Sequence, residues 1–407
     1  MDPDFVFRLR VIFYQCINFV SKIISSMMSL PRPILFTGRD SSLQLCETIG
    51  GYGVCKALLV TDSVLTSLGL PVKVIEKLES VGVSVVVFDG VEPDPKISQV
   101  EAGLRLLEDN CCDSVIAFGG GSSLDAAKMI AARATNVTSV EAMTGFYKVR
   151  NPCLPLFAIP TTAGTGSEAT IGAVISDDQS GQKNLIVDPK LVPQLVALDP
   201  LLMLGMPLAV TAATGLDALT HAVESYISRN ATAETRTLGL LATRLIFANL
   251  EDACIDGSDV DGRQALSLAS FYAGCALTGP GLGYAHGIAH CMGAIYHTPH
   301  GLANALVLPY ILDFSKVECE QDLADLALAA GVGNEDEDIS LLAQKFIDAV
   351  RDLKSRIGLP AQAEFLQAED FPRIAKEALQ EAHYSYAVPR FMSEKQCEVI
   401  LEQLKSG

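Results

Sequence analysis

Histidine is scarce in this chain, six in 407 residues, yet four of the six fall in one short stretch. His286, His290, His297 and His300 lie within AHGIAHCMGAIYHTPHG, from Ala285 to Gly301. Imidazole nitrogens bind first-row metals when they are neutral and held on rigid elements. His286 and His290 are four residues apart, and so are Asp217 and His221 in GLDALTHAVESY. On a helix that spacing puts both side chains on one face. His300 follows a Thr-Pro turn that can swing it back toward the same point. One carboxylate with three imidazoles makes a site for a divalent metal. An Asp-x-x-x-His pair alone is more often an ordinary surface pair. It is the concentration of histidine in a histidine-poor chain that points to metal.

Two glycine-bearing loops carry a second kind of chemistry. IAFGGGSSLDAAK runs from a strand pattern directly into a helix pattern, with Gly119, Gly120 and Gly121 allowing a sharp turn and close approach to a ligand. Ser122 and Asp125 fit an S-x-x-D capping box at the start of that helix. The unpaired N–H groups and positive dipole end of a helix N-terminus suit a pyrophosphate. PTTAGTGSEAT also follows a strand pattern and offers the hydroxyls of Thr161, Thr162, Thr165 and Ser167. Neither loop is a G-x-G-x-x-G fingerprint, and each alone fits an ordinary turn. Two of them at strand ends of one sheet favour a bound nucleotide.

The elements that must position these residues change character along the chain. ALLVTD, VSVVVFDG, DSVIAFGGG and LPLFAIPTT, starting at Ala57, Val83, Asp113 and Leu154, read as strands, with helical stretches such as KISQVEAGLRLLEDN between them. That alternation predicts a parallel α/β sheet. GAVISDDQSGQKNLIVD predicts a β-hairpin turning between Asp177 and Gly181. After Pro207 helical periodicity takes over, in AVTAATGLDALTHAVESYIS, AETRTLGLLATRLIFANL, DGRQALSLASFYAGCAL and SLLAQKFIDAVRDLKSRIG. The expected organisation is an N-terminal extension over residues 1–30, an α/β dinucleotide-binding domain over 31–206 and an all-helical metal-binding domain over 207–407.

The extension, FVFRLRVIFYQCINFVSKIISSMM, is apolar but interrupted by Arg8, Arg10, Gln15, Asn18 and Lys22. Its uncharged stretches are too short for a membrane span, and no small-residue cleavage site follows. It reads as an amphipathic helix packing on the body or on a second subunit, with peripheral membrane contact as the alternative. A formal net charge of −18 argues against nucleic acid or an anionic membrane as the main partner. The eleven cysteines form no C-x-x-C pair, and the adjacent Cys111 and Cys112 suit no relaxed disulfide. Reduced thiols and a cytoplasmic location are expected.

GGGSSLDAAK, PTTAGTGSEAT, GLDALTHAVESY and HGIAHCMGAIYHTPHG, in that order and spacing, resemble the iron-containing, or group III, alcohol dehydrogenase family. The resemblance covers about Pro31 to the C-terminus. It implies a dehydroquinate synthase-like architecture of α/β and helical domains, and an NAD-linked dehydrogenase acting on a small alcohol or aldehyde. By resemblance Asp217, His221, His286 and His300 hold Fe2+, with Zn2+ or another divalent metal as the alternative, and His290 beside them carries a proton. Gly120, Gly121, Ser122, Asp125, Thr161, Thr162 and Thr165 are expected around the dinucleotide, with Lys183 near its ribose. Asp62, closing ALLVTD, is placed near the adenosine ribose, where a carboxylate accepts from the hydroxyls and repels the 2′-phosphate of NADP. Asp62 also suits the N-cap of the helix that follows, and the two roles are compatible. His297 stands where the family commonly has asparagine, which makes it an alternative acid–base group. A homodimer or higher homo-oligomer is expected. A polyol dehydrogenase, or a hydroxyacid–oxoacid transhydrogenase that keeps its cofactor, is the alternative within the fold.

Overall fold

Among the described residues nine short strands, most of them rich in Val, Ile and Leu, supply the sheets. A computed structural model describes residues 3–26 and 30–406. The strands are β1 (Ile34–Thr37), β2 (Lys56–Val60), β3 (Ser84–Phe88), β4 (Ser114–Gly119), β5 (Gly145–Phe146), β6 (Leu156–Pro160), β7 (Gly172–Ser176), β8 (Lys183–Val187) and β9 (Leu195–Leu198). The chain divides into two compact units. One holds Leu30–Met206 and Ser258–Phe271, and the other holds the remaining described residues.

In the first unit six strands pair in parallel in the order β1-β9-β6-β4-β2-β3. Every residue of the inner strands β4 and β6 is buried, as parallel strands covered on both faces must be. Leu59, Ile116, Phe118, Phe157 and Leu195 face Leu45, Ile49, Val74 and Leu78, which come from the helices Ser41–Gly50 and Val72–Ser80. The alternate residues Leu58, Val60, Val115 and Ala117 are equally buried on the opposite face. The four strands expected from sequence are β2, β3, β4 and β6. The strands β1 and β9 are only four residues each, ILFT and LVAL, too short for periodicity to reveal. The expected hairpin is β7 and β8, antiparallel with Gly172 opposite Val187 and Ser176 opposite Lys183. The Asp177 carboxylate holds its turn by accepting from the N–H groups of Gln179 and Ser180.

From β2 the chain proceeds to β3 on one side, and from β4 to β6 on the other. The loops leaving the carboxyl ends of β2 and β4 therefore diverge. This is the topological switch point at which open parallel sheets bind ligands.

The second unit is helical. Its described helices are Pro3–Ser26, Leu208–Ile227, Ala233–Ile255, Tyr284–Tyr296, His300–Ala330, Ile339–Arg356, Phe371–Ser385 and Glu394–Ser406. Local chemistry marks several ends. Thr232 and Thr235 form a reciprocal cap, Asp338 accepts from two N–H groups, and Gly331 closes its helix in the left-handed region at φ 72°. The N-terminal helix packs on this unit. Its buried Tyr14 ring lies 4.9 Å from His383, 5.1 Å from Tyr384 and 5.9 Å from Phe391. Among the described residues, no helix is long and apolar enough to cross a membrane.

Two helices approach unusually closely where the histidine-rich stretch ends. A Cβ on Gly301 would sit 2.4 Å from the Ala213 carbonyl oxygen and 3.3 Å from Asp217 Cβ. Only glycine lets the helix beginning at His300 lie against Leu208–Ile227 there, which sets His300 beside Asp217. Alanine is ordinarily the better helix former by about 0.8–1.0 kcal/mol. Here Gly301→Ala is expected to lower stability by about 1–3 kcal/mol through overpacking, measured by urea unfolding. A variant as stable as the parent would show that the helices separate without cost.

Candidate functional site

Three helices of the second unit bring the metal-type residues together. Leu208–Ile227 presents Asp217 and His221 one turn apart, Tyr284–Tyr296 presents His286 and His290, and His300 opens His300–Ala330. One ligand atom from each of Asp217, His221, His286 and His300 lies within 4.8 Å of every other. His286 Nε2 is 3.8 Å and His300 Nε2 3.5 Å from Asp217 Oδ1. The His221 and His286 rings stack at 4.6 Å. Asp217, His221 and His286 are buried, while about a third of the His300 side chain is exposed (35%).

The electrostatics suit a cation. Burial and the neighbouring imidazoles push His286 well below the usual histidine range, which keeps it neutral. His221 Nδ1 and His286 Nε2 are buried with no hydrogen-bond partner among the described residues. An unsatisfied buried polar atom costs about 1–3 kcal/mol, so the unpartnered His286 Nε2, 3.8 Å from Asp217 Oδ1, fits a bound divalent ion.

Around this cluster lie residues that sequence reasoning did not single out. Glu224, buried, accepts from the N–H groups of Gly283 (2.8 Å) and Ala285 (2.7 Å), and its Oε2 lies 2.7 Å from His286 Nδ1. Burial pushes its carboxyl up to about 8, while a backbone N–H aimed at each oxygen favours the ionised form. Asn304 donates to Asp217 Oδ1 at 2.7 Å and lies 3.2 Å from His300 Nε2. A helical period was the available signal, since Glu224 is three residues past His221 and Asn304 four past His300.

His290 stands beside the cluster, its ring stacked 5.4 Å from that of His300. Its Nδ1 is 2.8 Å from Glu381 Oε1, which also accepts from Tyr386 Oη. Despite burial, the adjacent His290 holds Glu381 below the usual glutamate range. Glu381 comes from a distant helix, and nothing local in sequence announces it. His297 stands outside the four-residue cluster. It is the exposed residue that ends its helix, at φ 54°. That left-handed position favours glycine or asparagine, a structural reason for asparagine to stand there in the resembled family.

In the first unit Asp62, Gly120–Ser122 and Thr161–Thr165 follow the carboxyl ends of the neighbouring strands β2, β4 and β6. The loops touch, since a Cβ on Gly121 would sit 2.6 Å from Thr165 Cγ2. The helix Gly121–Arg133 starts with Gly120 at its N-cap and no side-chain cap. The expected Ser122–Asp125 capping box is therefore not formed. The helix begins two residues earlier than that box requires, and the Asp125 carboxylate is drawn to other donors, accepting from Ser167 Oγ (2.6 Å) and the Val174 N–H (2.9 Å). An uncapped N-terminus leaves its N–H groups available to an anion. Asp62 caps its own helix, with Oδ1 accepting from Val64 and Leu65 N–H, both at 2.9 Å. Lys183 lies on β8 and pairs with Asp94 at 2.7 Å.

A buried lysine ties these loops to the hairpin. Lys128 Nζ donates to the Thr170 carbonyl (3.0 Å) and hydroxyl (3.1 Å) and to the Gly172 carbonyl (2.6 Å). Burial pushes Lys128 down to about 8 and the nearby Glu168 up to about 7.

Comparison with known proteins agrees with both halves of this description. The family model described as iron-containing alcohol dehydrogenase matches residues 31–200, and that described as the C-terminal part of the Fe-containing alcohol dehydrogenase family matches 211–405. The 1,3-propanediol dehydrogenase of Citrobacter freundii is 38% identical over 362 residues, covering 88% of this chain and 92% of the relative. A crystal structure of 1,3-propanediol oxidoreductase superposes with a TM-score of 0.89 at 36% identity, covering 93% of this chain and 100% of the other. The sulfoacetaldehyde reductase from Bifidobacterium kashiwanohense, solved in complex with NAD+, gives a TM-score of 0.85 at 26% identity, covering 93% and 98%.

The lysine clamp has a direct test. Lys128→Met fills similar space but leaves the Thr170 and Gly172 carbonyls without their donor. It is expected to cost about 1–3 kcal/mol in urea unfolding. An unchanged unfolding midpoint would show that the clamp contributes nothing.

Proposed function

The chain belongs to the iron-containing alcohol dehydrogenase family, and we propose from that premise that it interconverts primary alcohols and aldehydes with NAD, using a divalent metal held by Asp217, His221, His286 and His300. The observation that carries the reading is the convergence of those four side chains, with two buried imidazole nitrogens unpartnered. The donor set suits Fe2+ or Zn2+, and the family model favours iron. Such a metal supplies Lewis acidity, which favours ionisation of an alcohol hydroxyl in one direction and polarises an aldehyde carbonyl in the other. The nicotinamide supplies the hydride acceptor or donor.

The chain's own residues orient the partners and move the proton. Gly120, Gly121 and Ser122 offer backbone N–H groups to the pyrophosphate. The hydroxyls of Thr161, Thr162 and Thr165 hydrogen-bond the dinucleotide, and Lys183 reaches its ribose. Asp125 serves by fixing the Ser167 loop and β7. His290, with Nδ1 engaged by Glu381, takes up the alcohol proton at Nε2 and returns it in reduction. The likeness to a 1,3-propanediol dehydrogenase supports a second reading, a short diol as the preferred alcohol. Eleven cysteines with no disulfide among the described residues support a cytoplasmic setting. A homo-oligomer completes the proposal.

Metal-loaded protein given an aldehyde and NADH should consume NADH. Redox exchange between two substrates without added cofactor would instead identify a transhydrogenase. A higher kcat/KM for 1,3-propanediol than for the monohydric alcohols would establish the diol reading. His286→Ala and His300→Ala are expected to lose both the metal and most turnover while staying folded, as followed by elemental analysis and circular dichroism. His290→Ala should keep the metal and lose rate, by about 10²–10⁴-fold for a lost general base. Loss of metal from that variant would reverse the assignment of ligand and proton carrier.

Cofactor choice rests on Asp62. Its Oδ1 is spent on the helix cap, but its charge still opposes a 2′-phosphate. NAD is expected to be preferred over NADP by about tenfold or more in kcat/KM, equivalent to about 1.4 kcal/mol. Asp62→Gly should narrow the gap by improving NADP binding. Equal use of the two cofactors by the parent enzyme would overturn this role.

A further inference from the structure

We infer that Glu224 is the positioning residue for His286: its carboxylate holds the imidazole as the Nδ1–H tautomer and so turns the Nε2 lone pair into the cluster of Asp217, His221 and His300. The inference rests on reading that cluster as the metal site and adds what sets the protonation pattern of one of its ligands.

An ionised carboxylate only accepts hydrogen bonds. Glu224 Oε2 accepts from the Gly283 N–H at 2.8 Å and faces His286 Nδ1 at 2.7 Å, while Oε1 accepts from the Ala285 N–H at 2.7 Å. With that acceptor at Nδ1, the ring proton belongs on Nδ1 and the lone pair on Nε2. His286 Nε2 is also the ring nitrogen that is buried without a protein partner and lies 3.8 Å from Asp217 Oδ1. Carboxylate–histidine pairs of this kind fix tautomer and ring orientation at metal sites generally.

Two further features show that the brace is built in. Glu224 shares a helix with Asp217 and His221, so the element that carries two of the cluster residues also aims a third. The Gly283 and Ala285 N–H groups belong to the first turn of the helix Tyr284–Tyr296, where backbone donors lack intrahelical partners. One carboxylate thus fixes both where that helix starts and how its His286 ring faces. A Cβ at position 283 would lie 2.6 Å from Glu224 Oε1, so Gly283 is the clearance that admits it.

Glu224→Gln separates this role from packing. An amide of nearly the same shape must place its NH2 where one carboxylate oxygen stood. At the Oε2 position it donates to His286 Nδ1, which moves the ring proton to Nε2 and blocks the ligating lone pair. At the Oε1 position it faces the Ala285 N–H, a clash of donors in a buried place. The Oε2 position faces the Gly283 N–H as well, so either placement sets an NH2 against a backbone donor and takes away the charged acceptor that holds the Nδ1 proton, which lets the ring populate the Nε2–H tautomer.

The test uses metal-free full-length protein, titrated with Zn2+ against a chromophoric chelator, together with 15N NMR of the histidine side chains. Glu224→Gln is expected to raise the Zn2+ dissociation constant by about 10- to 100-fold and to raise the Nε2–H population of His286. A lower melting temperature with an unchanged dissociation constant would show a merely structural role and overturn the inference. The parent protein decides independently of whether the variant folds, since an Nε2–H tautomer of His286 in it would also overturn the inference. A parent that takes up no Zn2+ or Fe2+ would bring down the metal reading and this inference together. Normal uptake with unaffected Glu224→Gln would bring down this inference alone.

Discussion

The helical unit is organised around one costly act, the burial of imidazole nitrogens that no protein donor satisfies. Among the described residues His221 Nδ1 and His286 Nε2 are buried without a partner, and His286 Nε2 lies 3.8 Å from the Asp217 carboxylate. A core could avoid that cost with apolar side chains of similar size. Keeping it makes sense only where the lone pairs have a cation to face. The surrounding structure serves the same end. Gly301 lets two helices close until His300 reaches Asp217, and Glu224 anchors the helix that carries His286. Hydrogen bonds from Asn304 and to Glu381 hold Asp217 and His290 in turn. Rigid support of this kind is what a Lewis acid site needs, because ligand geometry governs which metal is held and how strongly.

The α/β unit meets a different constraint. Its glycine-rich and threonine-rich loops bring together backbone N–H groups, hydroxyls and a positive helix end, all of which prefer solvent or an anion to a fixed protein partner. Such loops are mobile unless something behind them is rigid. Lys128 and Asp125 supply that rigidity from beneath, gripping the backbone at Thr170, Gly172 and Val174 and the Ser167 hydroxyl. The expectation that Asp125 caps its own helix placed it on the wrong side of the loop. A short S-x-x-D pattern looks alike whether the carboxylate turns to its own helix or to the next strand, and only the tertiary contacts choose.

Much of the site was legible because helices and strands convert spacing into direction. Asp217 and His221 share a face because they are one turn apart, and the β4–helix junction was visible as a β-branched run broken by three glycines. Other parts left no local trace. Glu381 meets His290 across 91 positions of chain. The strands β1 and β9 are too short to show a period, and what places them is pairing with distant partners, β1 with β9 and β9 with β6. His297 has the residue type of a ligand, but the backbone uses it as a helix terminator in the left-handed region.

By itself the sequence determined the fold class through its periodicity, and the family and the residue types that meet in the four-residue cluster through its motifs and their order. The tertiary structure decided which nitrogen of His286 faces the cluster, which carboxylates brace it, and where Asp125 and Lys128 spend their charge. Those are choices among hydrogen-bond partners far apart in the chain. A local pattern states what a side chain is able to bind, and only the packed neighbours, through burial and competing donors, settle what it binds.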